Sequence, residues 1–276
     1  MSVSREQIES YEESGFLLLP NYFSQAEVET LRAELPRVLG LSSPEKVVEK
    51  EGTTVRSVYG SHKANEIFGR LSRHPRLVGP ARALLGGDVY VYQFKINVKA
   101  AFGGDVWQWH QDYIYWLKED GMPSARVVNF IVYLDEMSEF NGPLFLLPGS
   151  HREGVIDSPA VLPALRGSDP YSDGPTWIHN LTANLKYTVP HDKVRGMAER
   201  SGIVSPKGPR GTVLLTNPNL VHASPHNISP FDRAVVIITY NSVENVPPPS
   251  TNPRPDFLVS RDCAPLVPLD DDALLT

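Results

Sequence analysis

The feature that most constrains the fold is a change of rhythm near residue 89. From there the chain is built of short runs, "VYVYQFKINVK", "RVVNFIVYL", "LFLL", "TVLLT" and "AVVIITYN", rich in β-branched and aromatic residues, with glycine- and proline-containing turns between them. Many short strands with few helices between them predict an antiparallel sandwich or barrel: a mainly β fold with a jelly-roll core and flanking α-helices. The helices are expected first. Ser4 is placed to cap a helix through Tyr11, with Gly15 as its stop, and "FLLL" follows as a strand. Ser24 and Glu27 spell a capping box before Val28, Leu31 and Leu35, a second helix that Pro36 should close.

A length of 276 residues with 41% hydrophobic and 21% charged side chains suits one large β-rich domain spanning 1–276. Within it, about 153–209 is polar and rich in Pro and Gly, the composition of a lid or of a solvated insertion. "NVPPPSTNPRP" should run in extended form over the surface or across a pocket mouth. The formal net charge of −6 argues against a binder of phosphate backbones, so nucleic acid is not an expected partner. "MSVSREQIESYEESGFLLLP" has neither the basic start of a signal peptide nor an apolar run long enough to span a membrane, so no membrane association is expected. A single cysteine, Cys263, rules out an intrachain disulfide and a cysteine-clustered metal site; it favours a cytoplasmic location and reads as a packed thiol. Oligomeric state is not encoded in any pattern of this kind.

The densest aromatic stretch, "WQWHQDYIYW" at 107–116, contains His110 and Asp112. On a strand, residues two apart share a face, so this pair could approach one metal ion together. An imidazole and a carboxylate suit Fe(II) or another divalent first-row metal, and a second histidine would complete a triad that leaves three coordination positions open. His151, His179, His191, His222 and His226 are the candidates. His222, in "NLVHASPHN", stands out because it ends an apolar strand that can hold it rigidly; His226 lies beyond Pro225, in a loop.

His110-x-Asp112, then His222 and Arg233 eleven residues on, resembles the phytanoyl-CoA dioxygenase family of Fe(II)- and 2-oxoglutarate-dependent oxygenases. "QFKIN", "WHQDYIYW", "EDGMP", "FNGPLFLLPGSHR", "SPKGP", "NISPFDR", "YNSVEN" and "PRPDF" are similar, in that order, to the subgroup of bacterial free-amino-acid (leucine-type) hydroxylases and ectoine hydroxylases. The resemblance runs from about residue 5 to 266 and thins between about 155 and 200.

By position, the resemblance implies that His110, Asp112 and His222 ligate iron and that Arg233 partners the distal carboxylate of 2-oxoglutarate, a role that suits an arginine fork. It places Gln93, Asn97 and Ser224 near the cosubstrate, Trp116 on the substrate wall with Trp107 as a lesser candidate, and Arg254 and Arg56 as candidates for the substrate carboxylate. Related halogenases carry glycine or alanine at the Asp112 position, so a carboxylate there implies hydroxylation. The implied activity consumes 2-oxoglutarate and O2 to hydroxylate an unactivated C–H bond of a small-molecule zwitterion, first a free aliphatic, leucine-like amino acid in natural-product biosynthesis. Ectoine is the alternative, although Leu117 stands where the ectoine enzymes are expected to have histidine. A non-catalytic jelly-roll binding protein is the alternative of another class.

Overall fold

A computed structural model describes residues 3–157, 176–183 and 185–276; the side chains of Thr176 and His179 and part of the expected 153–209 segment lie outside the described set. Ten strands are present among the described residues: β1 (Phe16–Leu19), β2 (Lys46–Val48), β3 (Val55–Tyr59), β4 (Val89–Lys99), β5 (Trp107–His110), β6 (Val127–Tyr133), β7 (Phe145–Leu146), β8 (Val213–Thr216), β9 (His222–Ser224) and β10 (Arg233–Ser242). They form a seven-stranded sheet, β1-β8-β6-β10-β4-β3-β2, and a three-stranded sheet, β5-β9-β7, in which every pairing is antiparallel. This is the expected jelly roll. The helices are α1 (Arg5–Ser14), α2 (Gln25–Ala33), α3 (Leu35–Gly40), α4 (Ser61–Ala64), α5 (Glu66–Ser72), α6 (Pro75–Leu85), α7 (Tyr113–Asp120) and α8 (His191–Ser201). None is long and apolar enough to cross a membrane.

Both caps form: Ser4 pairs with Gln7 and Ser24 with Glu27 in reciprocal boxes. Gly15 ends α1 at φ 84°, where a Cβ would lie 2.5 Å from His151 Nδ1, so no other residue fits without displacement. Pro36 does not close α2. It opens α3 at its first turn, where a proline forfeits no hydrogen bond.

Alternation along the strands divides the large sheet into two chemically different faces. Phe94, Ile96 and Val98 of β4, Val128, Phe130 and Val132 of β6, and Val236 and Ile238 of β10 are fully or almost fully buried. They share one apolar core with Val28 and Leu31 of α2, Phe68 and Leu71 of α5, and Leu77, Val78 and Ala81 of α6. The opposite face carries Gln93, Lys95, Asn97 and Lys99 of β4, Asn129 of β6, Thr216 of β8, and Arg233 and Thr239 of β10. A row of buried and half-buried polar groups on every second residue is costly unless something occupies the space they face. That space is a cavity walled by Gln93, Lys95, Asn97 and Asn129 on one side and by Trp107, His110, Leu146 and His222 of the small sheet on the other.

Candidate metal centre

His110 ends β5 and His222 opens β9, and the two are direct register partners. Antiparallel pairing therefore sets the rings side by side, with centroids 4.2 Å apart and planes inclined by 48°. His110 Nδ1 lies 2.6 Å from the Gln108 carbonyl and His222 Nδ1 lies 2.9 Å from the Leu220 carbonyl. A carbonyl can only accept, so each Nδ1 carries the proton and each Nε2 turns a lone pair toward the cavity. Burial, then the neighbouring His222, pushes the His110 pKa down to about 3, which keeps its imidazole neutral and able to ligate at neutral pH.

Asp112 completes the cluster, with Oδ1 3.8 Å from His110 Nε2 and Oδ2 4.0 Å from His222 Nε2. One ligand atom from each of the three lies within 4.8 Å of the others, the one such group found among the described residues. The route to this geometry differs from the expected one. β5 stops at His110, and Asp112 is not on a strand at all but at φ −72°, ψ −40°, the residue that leads into α7. Its carboxylate reaches the histidines by a turn rather than by strand alternation. Burial raises the Asp112 pKa, but Lys95, the two imidazoles and Asn129 outweigh it and the net shift is downward, toward the carboxylate.

Pattern alone did not single out Asn129 or Lys95. Asn129 Nδ2 donates to Asp112 Oδ2 at 2.7 Å, and Thr239 Oγ1 donates to Asn129 Oδ1 at 2.7 Å, so a chain of hydrogen bonds fixes the orientation of the carboxylate against the two histidines. The available signal was an asparagine inside the apolar run "VVNFIVY". Asn129→Leu should lower iron affinity about 10- to 100-fold, the usual effect of losing a group that orients a ligand. Calorimetric titration with Fe(II) under anaerobic conditions measures it, and an unchanged affinity would remove Asn129 from this role.

Arg233 is buried, and its Nη2 donates to the Gly142 carbonyl and, at 3.4 Å, to Ser224 Oγ. Ser224 Oγ itself donates to the same carbonyl at 2.9 Å. Lys99, the register partner of Arg233, is equally buried and donates to the carbonyls of Asp105, at 2.8 Å, and Pro225. Neither cation has an ion pair among the described residues. Burial depresses the Arg233 pKa to about 10; burial and then Arg233 depress that of Lys99 to about 6. Arg233, a buried guanidinium with no paired carboxylate among the described residues, makes this corner complementary to an anion, while the depressed pKa of Lys99 leaves that amine largely uncharged near neutral pH. Arg233 is two residues along the inward face from Val235, the register partner of the cavity residue Asn97, which is about 7 Å of strand, and Ser224 is the register partner of the cavity residue Trp107, so both sit just behind the lining.

The remaining expected residues divide. Gln93, Asn97, Trp107, Trp116 and Arg254 line the cavity. Gln93 Nε2 donates to the Leu258 carbonyl at 2.9 Å, whereas Asn97 Oδ1 is buried without a partner. Trp116 projects from α7 and meets Tyr92 edge-on, with ring centroids 5.5 Å apart. Arg254 reaches the wall, but its Nε and Nη2 are committed to the two oxygens of Asp120. Arg56 does not reach the cavity. Its fork holds Glu49 with two bonds of 3.1 Å and the carbonyls of Val106 and Leu181 at 2.9 and 3.2 Å, and it stacks 3.7 Å over Trp107. It is a clamp, with no donor set left to grip a ligand carboxylate. His226 is exposed beside Asp105, and His151 Nε2 contacts the Glu12 carbonyl.

Comparison with known proteins matches residues 11–235 to the family described as phytanoyl-CoA dioxygenase (PhyH). The chain is 40% identical to the L-proline trans-4-hydroxylase of Streptomyces griseoviridis, over 99% of this chain and 100% of that one. It is 39% identical to the ectoine dioxygenase of Bordetella parapertussis, over 98% and 86% of the two chains. Among solved structures it resembles EctD from S. alaskensis with 2-oxoglutarate and 5-hydroxyectoine, with a TM-score of 0.80 at 32% identity, covering 96% of this chain and 86% of that one. EctD with bound Fe gives a TM-score of 0.79, also at 32% identity, covering 97% and 87%.

Proposed function

The chain belongs to the phytanoyl-CoA dioxygenase family, and on that premise we propose that it hydroxylates an unactivated C–H bond of a free amino acid, with proline the first to test. It is an Fe(II)- and 2-oxoglutarate-dependent oxygenase. The observation that carries this reading is the convergence of His110, Asp112 and His222, two imidazoles and a carboxylate, the donor set that suits ferrous iron and leaves positions for cosubstrate and oxygen. O2 is the oxidant, and iron held there would let one of its oxygen atoms enter the substrate C–H bond while the other goes to 2-oxoglutarate, which is oxidised to succinate and CO2.

The protein's own residues supply position and exclusion. His110, Asp112 and His222 would hold the metal, with Asp112 fixed through Asn129. Arg233, with Ser224 beside it, would take the distal carboxylate of 2-oxoglutarate, which neutralises a cation that now has only carbonyl and hydroxyl acceptors. Asn97, with its unpaired oxygen, and Gln93 border the same space. Trp107, Trp116, Tyr115 and Leu185 wall the cavity with rigid apolar surface, which keeps water from the reacting centre and admits one substrate C–H. Asn180, Leu181 and Leu185, from the described part of the 153–209 segment, supply part of that wall, and we read these described residues as the cover of the site. The lone cysteine fits a cytoplasmic enzyme, and the hydroxylated amino acid would serve natural-product biosynthesis.

Arg233→Lys replaces a two-pronged grip by a point charge, so the 2-oxoglutarate concentration for half-maximal rate should rise about 10- to 100-fold while kcat changes little. An unchanged cosubstrate requirement would take this role from Arg233. The function itself is tested by incubating the protein with Fe(II), 2-oxoglutarate and ascorbate against proline, leucine and ectoine, and following succinate and the gain of one oxygen atom by mass spectrometry. Oxygenated proline or leucine supports the proposal. Oxygenated ectoine alone would move the enzyme to the ectoine group, whose members are nearly as similar in sequence. No iron-dependent succinate with any of them would favour a binding protein.

A further inference from the structure

Among the cavity residues the mechanism does not use is a buried amide. Asn180 is 7% exposed and lines the cavity that holds the metal triad, yet neither its Oδ1 nor its Nδ2 has a hydrogen-bond partner. Burying an amide without partners is unfavourable, and folded proteins avoid it unless a ligand supplies the missing bonds. The placement is held from both sides. Asn180 belongs to a short 3-10 turn, Thr176–Leu181, whose Ile178 and Leu181 are packed into the apolar cluster around Tyr92 and Trp116. The next carbonyl, that of Leu181, accepts from Arg56 Nε at 3.2 Å. Arg56 is tied through Glu49 to one sheet edge and through the Val106 carbonyl to the entry of β5. The segment that carries Asn180 is thus clamped to the strand that carries His110.

We propose that Asn180 reads the polar head of the substrate, a reading that rests on the amino-acid hydroxylase function above. A carboxamide offers a donor and an acceptor side by side, and an α-amino acid offers a carboxylate and an ammonium side by side. Nδ2 donates to the carboxylate and Oδ1 accepts from the ammonium. Lys95 lines the same cavity but lies by Asp112 at the metal end, so the carboxylate is held by Asn180 without it. Arg254 adds little there, because its charge is already matched by Asp120. The head is thereby held at the cover, leaving the aliphatic part of the molecule to lie toward the metal.

Asn180→Leu keeps the size of the side chain and removes both bonds. The amino-acid concentration for half-maximal product formation should rise about 30-fold, which at 1.4 kcal/mol per tenfold corresponds to about 2 kcal/mol, the range of hydrogen bonds to charged groups. The 2-oxoglutarate requirement should stay within about twofold, and the melting temperature should hold or rise, since an unsatisfied buried amide has been removed. Asn180→Asp loses the donor and sets a negative charge against the carboxylate, so its defect should be at least as large. A fall in melting temperature for Asn180→Leu overturns the proposal, because it would mean the amide is bonded within the core. An equal rise in both requirements also overturns it, placing the residue at the cosubstrate. If the wild-type protein oxygenates ectoine and no amino acid, the proposed function fails separately. Asn180 is then judged by the same contrast measured with ectoine, where an unchanged requirement overturns it and a selective rise upholds it.

Discussion

His222→Ala should abolish iron-dependent product formation, a loss of at least about 10³-fold, well beyond the 10- to 100-fold expected from disturbing a group that merely orients a ligand. The two imidazoles face one another because their strands are in register, and their lone pairs converge because backbone carbonyls hold the opposite ring nitrogens. Alanine at 222 leaves one imidazole and one carboxylate, a two-point site that cannot hold a ferrous ion in the same geometry. The control is His226→Ala, four residues on. That side chain is 60% exposed beside Asp105 and has no part in the cluster, so turnover should stay within about twofold. Succinate release with the preferred substrate and titrated Fe(II) measures both variants, and circular dichroism confirms that each remains folded. Equal losses at the two positions, or full activity in His222→Ala, would dismantle the metal assignment.

The strands were legible because their information is local. β4, β6, β8 and β10 fall on the β-branched and aromatic runs that predicted them, and both capping boxes formed where Ser4 and Ser24 stand. Pro36 was ambiguous for a physical reason: a proline is as compatible with the first turn of a new helix as with the end of an old one. α8 was missed inside the polar 153–209 segment because its apolar stripe is short, only Val194, Met197 and Ala198 in an otherwise polar helix interrupted by Gly196. At the site, the identities of His110, Asp112 and His222 were readable, but the backbone under Asp112 was not. Two residues after a histidine can be reached by a strand or by a turn into a helix, and only tertiary packing chooses. The roles of the arginines were least legible. Arg56 and Arg254 each sit in a motif, but which carboxylate each meets is set by folding, Glu49 seven residues away for one and Asp120 at a separation of 134 for the other. The polar face of β4 was in plain view as Gln93, Lys95, Asn97 and Lys99 on alternate positions, and reading it as one face would have directed attention to Lys95.

Asp120→Ala should destabilise the protein by about 3–5 kcal/mol, the usual consequence of leaving a buried charge without its partner. Asp120 closes α7, accepts from Arg254 at both oxygens and also accepts the Tyr92 hydroxyl. Both charged side chains are almost wholly buried, and although burial lowers the Arg254 pKa, the bonds to Asp120 outweigh it and the net shift is upward. The same helix begins next to Asp112 and carries Trp116, so the ion pair anchors the far end of the element whose near end supplies a metal ligand. Arg254→Ala should therefore resemble Asp120→Ala: a lowered melting temperature, by about 2–4 °C per kcal/mol in a chain of this size, accompanied by weaker iron binding. The double variant Asp120→Leu with Arg254→Met should recover most of the lost stability, because replacing a buried pair by apolar groups of similar volume is often neutral. Scanning calorimetry of the wild type and the three variants measures these shifts. If Arg254→Ala instead melts like the wild type and raises only the substrate requirement, then Arg254 grips the substrate carboxylate, and the clamp that holds α7 must lie elsewhere.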